Sequence, residues 1–329
     1  MGPVYGIGNP LLDTLVYGEQ GFLDEIQVRP GTMNLVNAET QLQVIASGRI
    51  ADAQPGGSTA NAMRVYAWLS NARHAPPVYT GAIGEDRRGS EFESLLERAG
   101  VTCRLARVTA PTGGSVIYIT PDKERTMFTA LGACLELEPH HIDHDALRTC
   151  SRVHVTGYVW DAPSGQDAAM TAIRAARDRG IPVSFDVSDV LVAERHRSDF
   201  FNVLSGSIET LFANESELAS LAETEDLDRM IEQCRGLAEY LVIKRGALGC
   251  RVVDSRSVTD VEGLPVAVVD TSGAGDTVAG AYLFAREEGY SPVQAARFGN
   301  YVASRVVQAI GCDTRIFDRE TISGFMSSL

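Results

Sequence analysis

Val269-Asp270-Thr271-Ser272-Gly273-Ala274-Gly275-Asp276-Thr277-Val278-Ala279-Gly280-Ala281-Tyr282-Leu283-Phe284-Ala285 is the stretch whose reading decides the fold. An apolar run, Leu264–Val269, leads into it and predicts a buried strand. A turn of small residues follows, and Val278, Tyr282 and Ala285 then recur at helical spacing. Strand, glycine turn and helix in that order leave free backbone N–H groups and the positive end of a helix dipole at one point, where a phosphate is stabilised. Gly273 and Gly275, with Ala274 between them, let the backbone approach an anion closely because no Cβ intervenes. Asp276 then sets a carboxylate at the mouth of the anion hole. A cradle that only held phosphate would avoid that charge; one that takes a proton from a hydroxyl as phosphate arrives needs it. Alone, the stretch reads equally as a glycine-rich turn with Asp276 capping the helix. No Gly-Lys-Ser/Thr follows, so it is not a P-loop, and the glycine spacing is not a dinucleotide fingerprint.

Upstream of this stretch, strands and helices alternate from His140 onward. Strands are predicted at Val153–Val159, Pro182–Val187, Thr210–Ala213 and Leu241–Lys244, and helices at Gly165–Arg179, Glu215–Ala222 and Asp226–Glu239. That alternation implies a parallel sheet with helices on both faces and ligands at the carboxyl ends of its strands. Asn214-Glu215-Ser216-Glu217 opens a helix after a strand and forms a capping box, which needs no function. A metal role there would use the Glu217 carboxylate through water, since Mg²⁺ keeps several of its waters. Leu241–Cys250 reads as a strand, a turn at Gly246 and a second strand from Gly249 to Val253. Lys244 and Arg245 can attend phosphates there or serve as solvated edge charges. Downstream, Ser291-Pro292 starts a last long helix through Phe298, Val302, Val306 and Ile310, stopped by Gly311.

The N-terminal half has two textures. Val4–Gly8 is a short strand, followed by Gly8-Asn9-Pro10-Leu11-Leu12-Asp13; Pro10 keeps this segment extended. Asp13 sits at a strand exit, where a carboxylate reaches a ligand or simply closes a turn. Short β-like pieces, such as Thr14–Tyr17 and Thr32–Val36, fill residues 13–47 without a long helix. Residues 102–130 look similar, with strands at Ser115–Thr120 and Arg125–Thr129. Two β-rich insertions predict a small sheet packed as a lid, which excludes water from a transfer reaction. Between them, Gln54-Pro55-Gly56-Gly57-Ser58-Thr59-Ala60-Asn61 opens a long helix with Met63, Tyr66, Ala67 and Leu69 on its apolar face. Gly56 and Gly57 bring bare backbone to that helix start, and Asn61 can bond a ligand hydroxyl; read plainly, Ser58 is the cap. A strand at Val78–Ile83 follows, then a helix bounded by a capping box, Ser90-x-x-Glu93, and by Gly100. The expected division is a large α/β unit of residues 1–12, 48–101 and 131–329, and a small lid of residues 13–47 and 102–130.

The totals narrow the function. A chain of 329 residues with 44% hydrophobic content can bury a sizeable core. A net charge of −14 with no basic block argues against nucleic acid as a partner. No apolar run reaches the length of a membrane span, and the N-terminus lacks the features of a signal peptide. Six scattered cysteines without a C-x-x-C pair read as reduced, buried thiols of a cytoplasmic protein, not as a metal site.

The turn Asp270–Asp276 matches the DTxGAGD signature of the ribokinase/phosphofructokinase-B family of small-molecule kinases, and 56–61 with 81–86 resembles that family's first signature more loosely. Within the family the chain is most similar to the adenosine kinases, through GNPLLD at 8–13, Phe22-Leu23-Asp24, Gly57-Ser58-Thr59 with Asn61, Pro111-Thr112-Gly113 and Gly311-Cys312. The resemblance covers nearly the whole chain. It implies a ribokinase-like three-layer α/β fold, with a central, mostly parallel sheet flanked by helices and a small β lid.

It also implies roles. Asp276 would be the base, and Gly273, Ala274 and Gly275 the anion hole. Asp13 would hold two ribose hydroxyls, helped by Asn9, Gly56, Gly57 and Asn61. Arg125 would approach the transferred phosphoryl group. Asn214 and Glu217 would order Mg²⁺ and its waters. Lys244, Gly246 and Asn300 would lie on the ATP side, Asn300 near the adenine. A monovalent cation such as K⁺ at Asp270 and Ser272 occurs in many relatives. The base pocket is where this sequence departs: Tyr158 or Trp160 stands where adenosine kinases stack the purine on phenylalanine, Leu191 where they have a second aromatic, and Ser115 where some have cysteine.

The chemistry fits, because phosphoryl transfer needs positioning and charge neutralisation, and an aspartate of ordinary pKa can accept the proton of a primary alcohol late in the step. The expectation is an ATP- and Mg²⁺-dependent kinase acting on the 5′-hydroxyl of a ribonucleoside, adenosine first. The alternatives are a sugar kinase for ribose or a ketohexose, and a binding protein that keeps the fold without turnover. The chain is expected as a monomer or homodimer, since exposed lid strands can pair between subunits.

Overall fold

The computed structural model describes residues 2–30, 33–122, 124–206 and 208–329. Fourteen strands are present among them: β1 Val4–Ile7, β2 Leu11–Tyr17, β3 Met33–Leu35, β4 Arg49–Gly56, β5 Val78–Gly84, β6 Thr102–Val108, β7 Gly114–Ile119, β8 Arg125–Ala130, β9 Arg152–Thr156, β10 Val183–Asp186, β11 Thr210–Asn214, β12 Tyr240–Lys244, β13 Cys250–Val253 and β14 Val258–Val261. Thr32, which opens the expected piece Thr32–Val36, lies outside the described residues. The helices are α1 Gln20–Glu25, α2 Ala38–Ala46, α3 Ser58–Ser70, α4 Arg87–Arg98, α5 His144–Thr149, α6 Pro163–Arg177, α7 Val190–Leu204, α8 Glu215–Ala222, α9 Leu227–Cys234, α10 Ala274–Glu287, α11 Pro292–Val306 and α12 Arg319–Ser327.

Nine strands form one sheet in the order β14-β13-β12-β11-β10-β9-β1-β5-β6. Every pair from β12 through β6 is parallel, while β13 and β14 add an antiparallel edge. Successive side chains alternate between two cores, as a pleated strand requires. Leu211, Ala213, Leu241 and Ile243 face the core shared with α6, α7, α8 and α9, whereas Phe212 and Val242 belong to the core with α3, α10 and α11. Strands apolar on both faces are what a parallel sheet covered on both sides needs. Gly280 lets α10 lie directly on α3, because a Cβ there would collide with the Ala62 carbonyl.

The second sheet has the order β3-β8-β7-β2-β4. Its outer face carries Val16, Val116, Tyr118 and Phe128 against Leu23 of α1 and Val44 of α2. Residues 13–47 hold no long helix, but they are not all β-like: one sheet face needs cover, and two short helices of six and nine residues supply it. Strand membership also differs from the expected segments. β4 belongs to the small sheet through antiparallel pairing with β2, and β6 belongs to the large sheet through parallel pairing with β5. Both are set by long-range pairing that local texture does not carry.

Two further local expectations change. The cap of α4 is Asp86, whose side chain accepts from the Gly89 N–H at 2.7 Å; Ser90 lies inside the helix. The run Leu264–Val269 is no strand. After β14 the large sheet has reached its edge, Pro265 has no N–H to offer a ladder, and the chain runs irregularly with Leu264 and Val268 exposed. All six cysteines are free and buried, and among the described residues no helix is long and apolar enough to cross a membrane.

Candidate active site

A cavity of about 950 Å³ opens between the carboxyl ends of the parallel strands and the inner face of the small sheet. Each central strand delivers a lining group at its carboxyl end: Asn9 after β1, Tyr158 after β9, Asp186 and Ser188 at β10, Asn214 and Glu217 at β11, Lys244 and Gly246 at β12. This is where ligands sit on sheets of this topology.

At the centre is the start of α10. Gly273, its N-cap, has φ 72°, a left-handed conformation that suits glycine. The Ala274 N–H is taken by the Thr271 carbonyl at 3.1 Å, which leaves the next first-turn N–H groups, of Gly275 and Asp276, at the open helix end. Asp276 lines the cavity half-buried. Ser58 Oγ donates to its Oδ1 at 2.6 Å and Asn61 Nδ2 to its Oδ2 at 2.9 Å. Burial raises its pKa, the two donors pull it back, and the balance stays above the usual carboxylate range. Asp276 is in the first helical turn and does not cap it. Ser58 is not a cap either: Gly57, with φ 91°, is the N-cap of α3, and Ser58 is its first residue.

Opposite lies a row across the small sheet. Gln54, Asp13, Ser115, Thr129 and Leu35 are register neighbours on five adjacent strands, and all line the cavity. The Ser115 and Thr129 hydroxyls are 2.9 Å apart. Leu11, Ile117, Met127 and Leu131 complete an apolar wall on this side. Burial pushes the Asp13 carboxyl up to about 7, against Arg64 and with Asp276 adding to the rise. Gly56 lies behind it: a Cβ there would strike the Asp13 carboxylate, so Gly56 makes room and does not itself line the cavity.

Two aromatic and aliphatic candidates are corrected. Trp160 points into the core and packs edge-to-face on Phe185 and Phe200, with ring centroids 5.3 and 5.6 Å away. Leu191 lies in the first turn of α7 at 48% exposure and is outside the cavity. Tyr158 does line it. Its backbone carbonyl accepts from Asn9 Nδ2 at 3.1 Å, and its hydroxyl donates to the Ser188 carbonyl at 3.2 Å.

On the other flank, Asn214 and Glu217 form the reciprocal capping box. Glu217 Oε2 accepts from the Asn214 N–H at 2.8 Å and Oε1 from Nδ2 at 2.7 Å. The carboxylate is buried, and its pKa rises to about 7 through that burial. Lys244 is not a solvated edge charge: its Nζ sits 2.8 and 3.0 Å from the Asp186 oxygens. Arg245 turns away to Glu215 and Asp260. Asn300 and Gly246 line the cavity near the irregular segment 262–269, which contributes Leu264, Pro265, Val266 and Val268.

Arg125, at the start of β8, ion-pairs with Asp270 and donates to Ser272 Oγ at 2.8 Å. Asp270 also accepts from the Gly311 N–H at 2.6 Å and the Ser272 N–H at 3.0 Å, and these partners outweigh burial to hold its pKa low. With both oxygens engaged and a guanidinium alongside, Asp270 as arranged here does not fit a monovalent cation. Among the described residues, no three His, Cys, Asp or Glu side chains are grouped to hold a metal directly. Six carboxylates line the cavity (Asp13, Asp161, Asp186, Asp189, Glu217 and Asp276) against the cations Arg125 and Lys244. Each Glu217 oxygen accepts once from Asn214 and keeps a further lone pair, and among the described residues no cation pairs with it directly, so this buried carboxylate on the cavity wall can hold a hydrated divalent cation through water. Sequence reasoning does not find Ser58, Asp186, Ser188, Gln54 or segment 262–268 as site residues; of these, only Asp186 carries a signal, its place at the end of a predicted strand.

The profile of the pfkB family of carbohydrate kinases matches residues 37–318. The chain belongs to that family. PfkB kinases are phosphotransferases with an alcohol group as acceptor, and the open end of α10, with Asp276 in its first turn, suits that chemistry. The adenosine kinase of Dictyostelium discoideum is 25% identical over 331 residues, covering 92% of this chain and 94% of its own. Among solved structures, a probable sugar kinase protein from Rhizobium etli CFN 42 superposes with a TM-score of 0.90 at 27% identity, covering 98% of this chain and 99% of that one. The adenosine kinase from Sinorhizobium meliloti superposes with a TM-score of 0.88 at 31% identity over 98% of both. The pfkB fold accounts for the large sheet with its flanking helices and the smaller sheet over the cavity.

Proposed function

We propose that this protein is an ATP-dependent kinase that phosphorylates the 5′-hydroxymethyl group of a ribonucleoside, adenosine first. The observation that carries the reading is the shared cavity of Asp276, Asp13 and the open end of α10, roofed by an apolar sheet face. Asp276, with both oxygens already bonded and its pKa raised, accepts the acceptor hydroxyl's proton as transfer proceeds. The N–H groups of Gly275 and Asp276, with Gly273 and Ala274 shaping the turn, stabilise the charge on the transferred phosphoryl group. Asp13 accepts from two ribose hydroxyls, with Asn9, Gly57 and Asn61 beside it. Leu11, Leu35, Ile117 and Met127 on the lid and Tyr158 on the sheet side enclose a flat base. Asn214 and Glu217 order Mg²⁺ through water; when bound, the ion neutralises phosphate charge. Arg125 shields the same region from the lid, and Gly246, Asn300 and segment 262–268 flank the donor nucleotide. We also propose that the small sheet acts as a separate lid unit on the large one.

A free-sugar kinase is favoured by one observation, the Ser115–Thr129 hydroxyl pair beside Asp13, which can bond sugar hydroxyls. Screening nucleosides against ribose and ketohexoses with Mg²⁺-ATP separates the two. Phosphorylation of adenosine at the 5′ position, with sugars at least ~10-fold poorer in kcat/KM, supports the nucleoside reading. Preference for a sugar overturns it, and no transfer to any acceptor overturns the kinase assignment.

A further inference from the structure

We propose that Arg64 is a positioning residue for the acceptor half of the site: it fixes which end of the Asn61 amide faces Asp276, and it pins the turn on which the Asp13 carboxylate rests. This rests on the kinase reading and adds to it a residue behind the cavity wall, on the far side of Asn61 from the base.

Arg64 follows Asn61 on α3 at the spacing where helical side chains meet. Its Nη1 donates to Asn61 Oδ1 at 3.2 Å and to the Pro55 carbonyl at 3.0 Å. A guanidinium has donors only, so it takes the oxygen end of the amide and turns away the nitrogen end. Asn61 Nδ2 is thereby left toward Asp276, where it donates to Oδ2 at 2.9 Å. An ionised Asp276 selects the same orientation. Once it has taken up a proton it no longer does, because its hydroxyl can donate to the amide oxygen instead. Arg64 holds the amide in place while Asp276 carries the proton of the acceptor hydroxyl.

The second bond reaches the acceptor carboxylate. Pro55 follows Gln54, the register partner of Asp13, and precedes Gly56, where a Cβ would come within 2.2 Å of the Asp13 carboxyl group. Holding the Pro55 carbonyl from α3 therefore sets how β4 runs into the helix and where Asp13 lies. Both hydrogen bonds of Nη1 go to neutral oxygens, so the charge of the guanidinium is left to act on Asp13. Burial drives that carboxyl toward its neutral form; Arg64 opposes this more strongly than Arg125 does, and Asp276 works the other way. An ionised Asp13 can accept from two hydroxyls at once, which a ribose diol requires. One side chain thus serves the group that holds the acceptor and the group that deprotonates it.

The test is a double-mutant cycle on the full chain: Arg64→Met, Asn61→Ala and both together. Steady-state kinetics with acceptor and Mg²⁺-ATP varied in turn give kcat and each KM. Calorimetry gives the affinities for the acceptor, adenosine or ribose as the substrate screen selects, and for AMP-PNP, a non-hydrolysable ATP analogue. Arg64→Met is expected to lower kcat/KM for the acceptor ~10- to 100-fold, the worth of a hydrogen bond from a charged group, with the loss shared between kcat and KM and AMP-PNP affinity within about twofold of the parent. In the Asn61→Ala background, Arg64→Met should lower kcat no further yet still weaken acceptor binding through Asp13. A folded Arg64→Met that keeps the parent's kcat and acceptor affinity overturns the proposal. So does a kcat loss that adds in full to that of Asn61→Ala, and so does an equal loss of acceptor and AMP-PNP affinity, which a general loosening would give. Should Arg64→Met fail to fold, Arg64→Gln takes its place in the cycle with the same readings. The kinase reading fails separately. If the parent binds adenosine or ribose but phosphorylates neither these nor any other nucleoside or sugar, that reading falls while acceptor affinity still reports on Arg64. If the parent binds neither, both fall.

Discussion

Ser58 donates its hydroxyl hydrogen to Asp276 across 2.6 Å, although 218 residues of chain separate the two. The bond ties the start of α3 to the start of α10, and it lowers the pKa of a carboxylate that burial has raised. A base must be ionised to act, so activity is lost as pH falls through that pKa. Replacing Ser58 by Ala removes a lowering influence and moves the acid limb of the kcat/KM–pH profile to higher pH. Asp276→Asn abolishes the base: kcat falls ~10²- to 10⁴-fold while AMP-PNP and acceptor still bind. Unchanged kcat in Asp276→Asn removes the base assignment.

Asp13 sits with its pKa pushed up to about 7 from an ordinary 3.8. A protonated carboxyl loses its capacity to accept twice, so the acceptor KM rises as pH drops through about 7. Stability runs the opposite way. Between 3.8 and about 7 the folded chain holds a proton that the unfolded chain has released, so this group costs stability as pH rises through that window. Asp13→Asn is therefore expected to raise the neutral-pH Tm by about a few °C while weakening acceptor binding ~10-fold or more. A Tm that falls at neutral pH contradicts the burial argument.

Gly56 tests the same carboxylate by shape. A Cβ at 56 collides with the Asp13 carboxyl group, which must then swing from its place in the row Gln54–Asp13–Ser115–Thr129. Gly56→Ala is expected to raise the acceptor KM ~10-fold or more, in the manner of losing a hydrogen-bonded pair, with the ATP KM within about twofold. Parallel loss of both would mean that the turn from β4 into α3, not Asp13 alone, had been disturbed.

Asp276, Asn214 and Glu217 are legible in the sequence because their settings are local: a turn opening a helix, and a cap three residues long. The alternating α/β order likewise reveals the large sheet and the edge on which ligands lie. Ser58 reads as a cap because its true partner is remote in the chain. Tyr158 and Trp160 share a single 3₁₀ turn, Gly157–Asp161, and only tertiary packing decides which ring meets the cavity and which meets Phe185 and Phe200. The segment 264–269 misleads for a different reason, since an apolar wall for a ligand and an apolar strand for a core have the same composition.

That pair of aromatics separates a structural role from a binding one. Trp160→Ala leaves a cavity in the main core and is expected to cost about 3–5 kcal/mol of stability, read by denaturant unfolding. Tyr158→Ala should cost far less stability and raise the acceptor KM, about 2- to 10-fold for one lost ring contact. A Tyr158→Ala variant with unchanged KM for a nucleoside would place the base elsewhere.

The exposed apolar segment after β14 gives the last prediction. Val268 is 60% exposed and Leu264 36%, yet both line the cavity beside Asn300. Apolar side chains left in water gain nothing for the fold; covered by a flat ring, they gain roughly 25 cal/mol per Å² of area removed from water. The double variant Leu264→Ser, Val268→Ser should therefore lower the unfolding midpoint by no more than about a few °C, because Val268 is mostly exposed and Leu264 more than a third exposed. It should raise the KM for ATP ~10-fold, since two partly covered side chains contribute on the order of 1–2 kcal/mol when a base closes over them. The acceptor KM should not move. Steady-state kinetics with each substrate varied in turn, beside a melting curve, read all three quantities. A midpoint lowered by more than that, with unchanged ATP KM, would mean that these residues serve the fold after all.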